Sequence, residues 1–274
     1  MRAQSAMEYL MTYGWAILII AIVLAALFQL GVFSSSTFAP KASPDSCQVF
    51  RPNGPGTTQF INTEGVCNGE LPQYVAQFNA QSQISTTASL TDNVSSVFTV
   101  SYWFSQTQLF TASYTNMLII SNMYSTFLYS PGNLAWSGFP GRTIGISVLS
   151  LRKWYNVVAV DNGTACESYL DGVIAGGIWG CTPASPSART ICIGCNAFVG
   201  SISNLQVYNT SLSQPEITAL YQEGIGGAPI DLQNLVGWWP LNGNAHDYSG
   251  NNNNGQTNGG VAFTANWENG YTQP

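Results

Sequence analysis

The chain has 274 residues and a formal net charge of −6, and only 7% of its residues are charged, far below the usual quarter. Its seven Lys and Arg residues are scattered, which excludes a nucleic-acid-binding protein, because neutralising a phosphate backbone needs clustered cations. The length suffices for one large or two small domains beyond an N-terminal helix, and the polar, uncharged composition suits dense packing of copies or exposure to salt or acid.

The chain opens on an apolar run. No charged residue stands between Tyr9 and Phe33, and roughly 20 apolar residues in a helix cross the ~30 Å hydrocarbon layer of a bilayer. Arg2 precedes the run. Basic flanks stay on the cytoplasmic side, so the C-terminal portion is expected outside. A secretory signal would carry its cleavage site after the apolar core; here the polar signal, Arg2-Ala3-Gln4-Ser5-Ala6-Met7-Glu8, comes before it. This order of basic residue, Gln, Glu and apolar run resembles the class III signal peptide of archaeal type IV pilins, with Ala3 where many relatives carry Gly.

The resemblance implies a leader of residues 1–3, cut by a prepilin peptidase between Ala3 and Gln4. It implies a pilin or transmembrane helix over 4–35, with Glu8 as the fifth residue of the mature chain and the assembly residue. A carboxylate at the edge of a membrane span is costly unless paired. The α-amino group that cleavage creates, in the same chain or a neighbouring copy, is the expected partner. The alternative is a plain signal-anchor helix with Glu8 solvated among the headgroups.

Residues 36–69 read as a proline-bearing linker followed by a disulfide-stapled loop. Six cysteines lie beyond the helix: Cys47, Cys67, Cys166, Cys181, Cys192 and Cys195. An even number outside the membrane favours disulfides. Proximity favours Cys47–Cys67 and Cys166–Cys181. Cys192-Ile193-Gly194-Cys195 either closes on itself or forms half a zinc site, which would need four ligands; the single histidine, His246, is far along the chain.

From about Glu70 the pattern turns to β. Phe98, Val100, Tyr102 and Phe104 alternate with Val97, Thr99, Ser101 and Trp103, as on the two faces of a strand. Residues 117–120, 143–149, 154–160 and 200–209 predict further strands between turn signals. Asp171-Gly172 between Tyr169-Leu170 and Val173-Ile174 predicts a hairpin on a type I′ turn. One short helix is predicted, with a capping box of Ser213 and Glu216, Pro215 in its first turn, the apolar face Ile217, Leu220 and Tyr221, and Gly224 as its stop.

In sequence order, Phe98-Thr99-Val100-Ser101-Tyr102-Trp103, Trp154-Tyr155-Asn156-Val157-Val158, Tyr169-Leu170-Asp171-Gly172, Ile193-Gly194 and Phe198-Val199-Gly200-Ser201-Ile202 together resemble the laminin G-like, concanavalin A-like jelly roll. The resemblance runs from about Val75 to Glu223. It implies a mainly β chain, with the N-terminal helix followed by a β-sandwich jelly roll over 70–274 and one short helix, and a lectin-like role. The pattern Trp238-Trp239-Pro240 and Asp247-Tyr248-Ser249-Gly250 normally opens this domain; here it lies in the tail, 231–274. Residues 235–241 and 260–264 are therefore expected to fold back as strands of the same jelly roll, the rival being donation to a neighbouring copy.

No catalytic residues are assigned, and no enzyme is expected. Glycoside hydrolysis needs two carboxylates about 5–10 Å apart, yet no two acids stand at i and i+2. Glu167 and Asp171 are four apart, but Asp171 serves the hairpin turn. His246 and Asp247 are adjacent, so on a strand they point opposite ways. No cofactor is implied, apart from a calcium ion at Asp247 with the Asn251–Asn254 run; the other reading is an Asp247 that caps local N–H groups in a turn. Three sequons, at Asn93, Asn162 and Asn209, are glycosylation candidates.

Together these readings describe a pilin-like filament subunit held in the cell membrane, with an external lectin-like jelly roll for adhesion. The expected partners are the lipid bilayer, a prepilin peptidase, copies of itself and glycans, and no nucleic acid. The alternative is a membrane-anchored lectin-like adhesin that never polymerises.

Overall fold

A computed structural model of the chain describes residues 17–25, 71–86, 97–108, 115–120, 124–129, 133–138, 142–176, 179–180 and 190–274. The chain divides into two compact units; residues 17–25 belong to one and all other described residues to the other. Residues 17–25 form a helix, α1, made only of Ile, Leu, Val and Ala. Its large aliphatic side chains are exposed all round, from 44% at Leu24 to 66% at Ile17. Of the helix expected over 4–35, only this short piece lies among the described residues, where no helix is long and apolar enough to cross a membrane.

The other unit is a sandwich of two antiparallel sheets. In chain order the strands are β1 (Val75–Phe78), β2 (Gln83–Thr86), β3 (Val97–Gln106), β4 (Thr115–Ile120), β5 (Tyr124–Tyr129), β6 (Asn133–Gly138), β7 (Arg142–Val148), β8 (Trp154–Asn162), β9 (Ala165–Leu170), β10 (Val173–Ile174), β11 (Trp179–Gly180), β12 (Ile191–Ile193) and β13 (Gly200–Tyr208). A helix, α2 (Gln214–Glu223), and strands β14 (Leu235–Trp239), β15 (Gly255–Asn258) and β16 (Ala262–Thr264) follow. The nine-stranded sheet runs β10-β9-β8-β3-β13-β1-β16, with β11 on β9 and β14 on β13; the seven-stranded sheet runs β15-β2-β12-β4-β5-β6-β7.

Apolar alternation explains the core. Phe98, Val100, Tyr102 and Phe104 of β3 enter the main cluster with Tyr155 and Val157 of β8 and Ile202, Leu205 and Val207 of β13. Ile84, Leu118, Ile120, Ile191 and Ile193 meet them from the other sheet. A polar contact crosses this core: Tyr102 Oη donates to Thr126 Oγ1 of β5 at 2.5 Å, and burial raises the phenol's pKa.

β13 is the axis of the nine-stranded sheet. On one side it pairs with β3 along its length. On the other, β1 takes Gly200–Ile202 and β14 takes Leu205–Tyr208. The two partners meet at Asn204, whose φ of 51° breaks the ladder, and whose backbone N–H donates to Pro240. The tail thus supplies strands to both sheets of its own unit: β14 on β13, β16 on β1 and β15 on β2.

Local signals operate where the sequence carries them. Asp171 (φ 51°) and Gly172 (φ 74°) make the two-residue turn between β9 and β10. The Ser213 backbone N–H donates to the Glu216 carboxylate at 2.6 Å, at the start of α2, and Gly224 ends it with φ 80°. The periodicity reading finds no strand at β2, β5, β6, β12 or β15. β5 carries Tyr124, Phe127, Leu128 and Tyr129; the others are short or rich in Ser, Thr, Asn and Gly, and their strand state comes from the ladder they join.

Candidate functional site

The outer face of the nine-stranded sheet is covered across β3, β8, β13 and β14, while the edge strand β10 is exposed. Trp103 and Trp154 on this face pack with Ile225 and Trp267, joined by Tyr221 and Tyr271. Val158, Tyr169, Tyr208 and Trp238 pack against Leu212, Ile217 and Leu220. Helix α2, the connection after it and the C-terminal segment therefore seal this face. Trp103 stacks on Tyr221 with ring centroids 5.7 Å apart, and Trp154 meets Trp267 edge-on at 5.8 Å. Trp154 Nε1 donates to Trp267 O, and Trp267 Nε1 to Pro72 O.

The outer face of the seven-stranded sheet differs. The register aligns Gln256, Ser85, Cys192 and Ile119 across β15, β2, β12 and β4. Gln256 and Gln83 are exposed, and Ser85, Cys192 and Ile119 are half-buried. Asn258 Nδ2 lies 3.4 Å from Ser85 Oγ. The described side chains of this face, the amides of Gln83, Gln256 and Asn258 and the Ser85 hydroxyl beside the Cys192–Cys195 disulfide and Ile119, carry no charge, so the polar ones can donate to and accept from a polyhydroxylated ligand without the desolvation cost of an ion. This open polar face is the candidate site. The sequence held its residues, but nothing local marked them as neighbours.

The residues singled out from the sequence fall elsewhere. Asp247 is fully buried. Its carboxylate accepts from the backbone N–H groups of Trp238, Ser249 and Asn253 and from Ser249 Oγ, all within 2.8–2.9 Å. N–H and O–H donors thus surround the oxygens that a calcium ion would need, so the residues do not fit the ion and the calcium reading is corrected to a turn hub. No group of three or more His, Cys, Asp or Glu among the described residues could hold a metal. His246 is exposed, and its N–H donates to Asn244.

Cys192 and Cys195 are bonded to each other, so this pair closes on itself and offers no half zinc site. Cys166 is disulfide-bonded, and its expected partner Cys181 lies outside the described residues, as do Cys47, Cys67, Ala3, Gln4, Glu8 and Asn93. Asn162 is exposed at the β8–β9 turn, and Asn209 is half-buried after β13.

Among the described residues the acids do not converge. Glu167 accepts from the Tyr169 hydroxyl, while Asp171 Oδ1 accepts from the Asn156 N–H at 2.9 Å. Burial raises the Asp171 pKa, partly offset by that hydrogen bond and by Lys153. Burial also raises the carboxyls of Asp161 and Glu223.

A polar hub missed in the sequence sits on β13. Asn204 Oδ1 accepts from Trp238 Nε1 at 2.8 Å and from Gln206 Nε2 at 3.0 Å, and Asn204 Nδ2 donates to Gly227 O at 2.8 Å. Tyr208 Oη donates to Gln206 Oε1. The network ties β13, β14 and the connection after α2 into one body.

A family profile described as the concanavalin A-like lectin/glucanases superfamily matches residues 78–218. No curated protein matches the sequence. Among solved structures, the fold is similar to a presumed carbohydrate-binding protein from Bacteroides ovatus, with a TM-score of 0.56 at 16% identity over 71% of this chain and 60% of that one. It is also similar to domain 4 of an extracellular arabinanase from Geobacillus stearothermophilus in complex with arabinotriose (TM-score 0.44, 21% identity, 56% of this chain and 82% of that one), and to a pentraxin of Limulus polyphemus (TM-score 0.46, 16% identity, 56% and 83%). The chain thus spans less than two thirds of the Bacteroides protein it resembles.

Proposed function

The chain belongs to the concanavalin A-like lectin/glucanase superfamily, and from that premise we propose that its jelly roll binds glycans through the open face of the seven-stranded sheet. One observation carries this reading: the nine-stranded sheet's outer face is sealed by aromatic and aliphatic side chains, whereas the described outward positions of the other sheet are amides, a hydroxyl, a disulfide and one isoleucine. The role is binding rather than hydrolysis: Asp171, Asp247 and Glu167 are each engaged by groups that hold the fold.

The N-terminal residues support the larger setting, a pilin-like subunit of a cell-surface filament. Ala3-Gln4 would be the processing point, Glu8 the assembly residue and the apolar helix the part shared with the bilayer and with other copies. The all-round exposure of aliphatic side chains on α1 supports it, because such a helix needs lipid or further helices around it. A membrane-anchored adhesin that stays single is the second reading, favoured by the same helix if Glu8 finds no partner.

Two experiments test these parts separately. Full-length protein in detergent, passed over immobilised polysaccharides, is expected to be retained by at least one and released when Gln83 and Gln256 are both replaced by Ala; retention unchanged by the double substitution overturns the face assignment. Electron microscopy of native cell-surface filaments, with mass spectrometry of their subunits, is expected to find this chain starting at Gln4. Filaments that lack it leave the anchored adhesin.

A further inference from the structure

The chain carries three sequons, and the structure distinguishes two of them. A usable acceptor needs its amide nitrogen free, a Ser or Thr hydroxyl at the +2 position, and an exposed segment that an enzyme can enter. Asn162-Gly163-Thr164 is the exposed turn between β8 and β9. Asn162 Oδ1 accepts from Thr164 N (3.0 Å), Thr164 Oγ1 (2.9 Å) and Ala165 N (2.8 Å). The side-chain oxygen is thereby committed, and Nδ2 makes no hydrogen bond within the described residues. Asp161 Oδ1 accepts the Gly163 N–H at 2.8 Å, and Gly163 sits at φ 86°, where other residues are strained. The turn is held from both sides and keeps its hydroxyl against the acceptor amide.

Asn209-Thr210-Ser211 is strapped down instead. The Asn209 N–H donates to Asn234 O, and Thr99 Oγ1 donates to Thr210 O while accepting from Leu212 N. The Asn209 side-chain oxygen is enclosed without a partner. Bringing this segment into an enzyme would mean stripping it from β3 and from the connection before β14.

We propose that Asn162 is an N-glycosylation site of the mature protein and that Asn209 is not. The inference rests on the external location proposed above for the jelly roll. The reaction joins Asn162 Nδ2 to the anomeric carbon of an oligosaccharide activated as a lipid-linked phosphate. The C–N bond forms as the C–O bond to phosphate breaks, the amide nitrogen gives up one proton, and the lipid phosphate leaves.

Peptide mapping by mass spectrometry of the full chain from its native cells tests this. The peptide bearing Asn162 is expected to carry a glycan mass that is lost in Asn162→Gln and in Thr164→Ala and kept in Thr164→Ser, which preserves the hydroxyl. Asn209→Gln is expected to leave the glycan pattern unchanged. An impermeant amine- or carboxyl-labelling reagent on whole cells reports location independently. A bare Asn162 in protein that the reagent reaches overturns this inference and leaves the location standing; a bare Asn162 in protein that it does not reach overturns both. A glycan on Asn209 with Asn162 bare also overturns it.

Discussion

The outer faces of the two sheets are built on the same two-residue period, yet one is sealed and the other open. On the nine-stranded sheet the outward positions carry Trp103, Trp154, Val158, Tyr208 and Trp238, and later segments of the chain fold over them. On the seven-stranded sheet the corresponding positions carry Gln83 and Gln256, which are exposed, and Ser85 and Cys192, which are half-buried. Outward side-chain chemistry therefore selects between a stability face and a surface free to bind. Substitutions on the first should act on folding, and those on the second on recognition.

The largest expected break is truncation after Gly227. It removes β14, β15 and β16 and uncovers the aromatic layer, so the truncated chain should show no cooperative thermal transition by circular dichroism. A folded truncated form would mean that the tail is dispensable to both sheets.

Next is Trp238→Ala. This side chain is buried in the outer layer and its indole N–H is bonded to Asn204, so the loss should be about 3–5 kcal/mol, read from chemical denaturation. Asp247→Asn keeps the shape but turns an NH2 group toward buried donors, and should cost on the order of 2–4 kcal/mol. A chelator should leave the wild-type melting temperature where it is, whereas a drop on chelation would restore an ion to this hub.

A smaller effect concerns pH. Burial raises the native carboxyls of Asp161 and Asp171 above their ordinary 3.8, so the folded chain holds their protons more tightly than the unfolded chain. Their contribution to stability is fully present below 3.8 and is lost as pH rises through the raised native values. Asp171→Asn retains a turn-forming residue before Gly172 and should flatten part of that decline in denaturation midpoints measured across the acid range; an identical profile would remove Asp171 as a source. The smallest stability effect is expected for Gln83→Ala with Gln256→Ala, within about 0.5 kcal/mol of wild type, although the same pair should abolish retention on polysaccharide.

Where the signals were local, the sequence was readable. The alternation in β3 and β8, the Asp171-Gly172 turn and the Ser213–Glu216 start of α2 each depend on residues a few positions apart. The short strands were not readable that way: β2 holds one large aliphatic residue, Ile84, and β12 is three residues long. The candidate face was equally hidden, because Ser85, Cys192 and Gln256 become neighbours only through the register of β2 with β12 and β15. Asp247 could be read as an ion ligand or as a cap, and its burial under four donors, set by where β14 lies, decided for the cap.

The adjacent residues Trp238 and Trp239 divide the two kinds of information. By itself the sequence determined that this Trp pair, with Leu235 and Val236, belongs to a strand too apolar to stand alone, because two indoles left in water would cost more than the ordering of one strand. Only the tertiary structure decided where each goes. A register slip opposite Val207 and Tyr208 breaks the alternation. It sends Leu235 and Trp238 to the outer layer and Val236 and Trp239 to the core between the sheets. Gly237 leaves room for the Trp239 ring, which a Cβ there would meet at 2.2 Å. Alternation is a property of the chain alone, but the position of a bulge, and the covering of both faces, depend on the partners the strand finds.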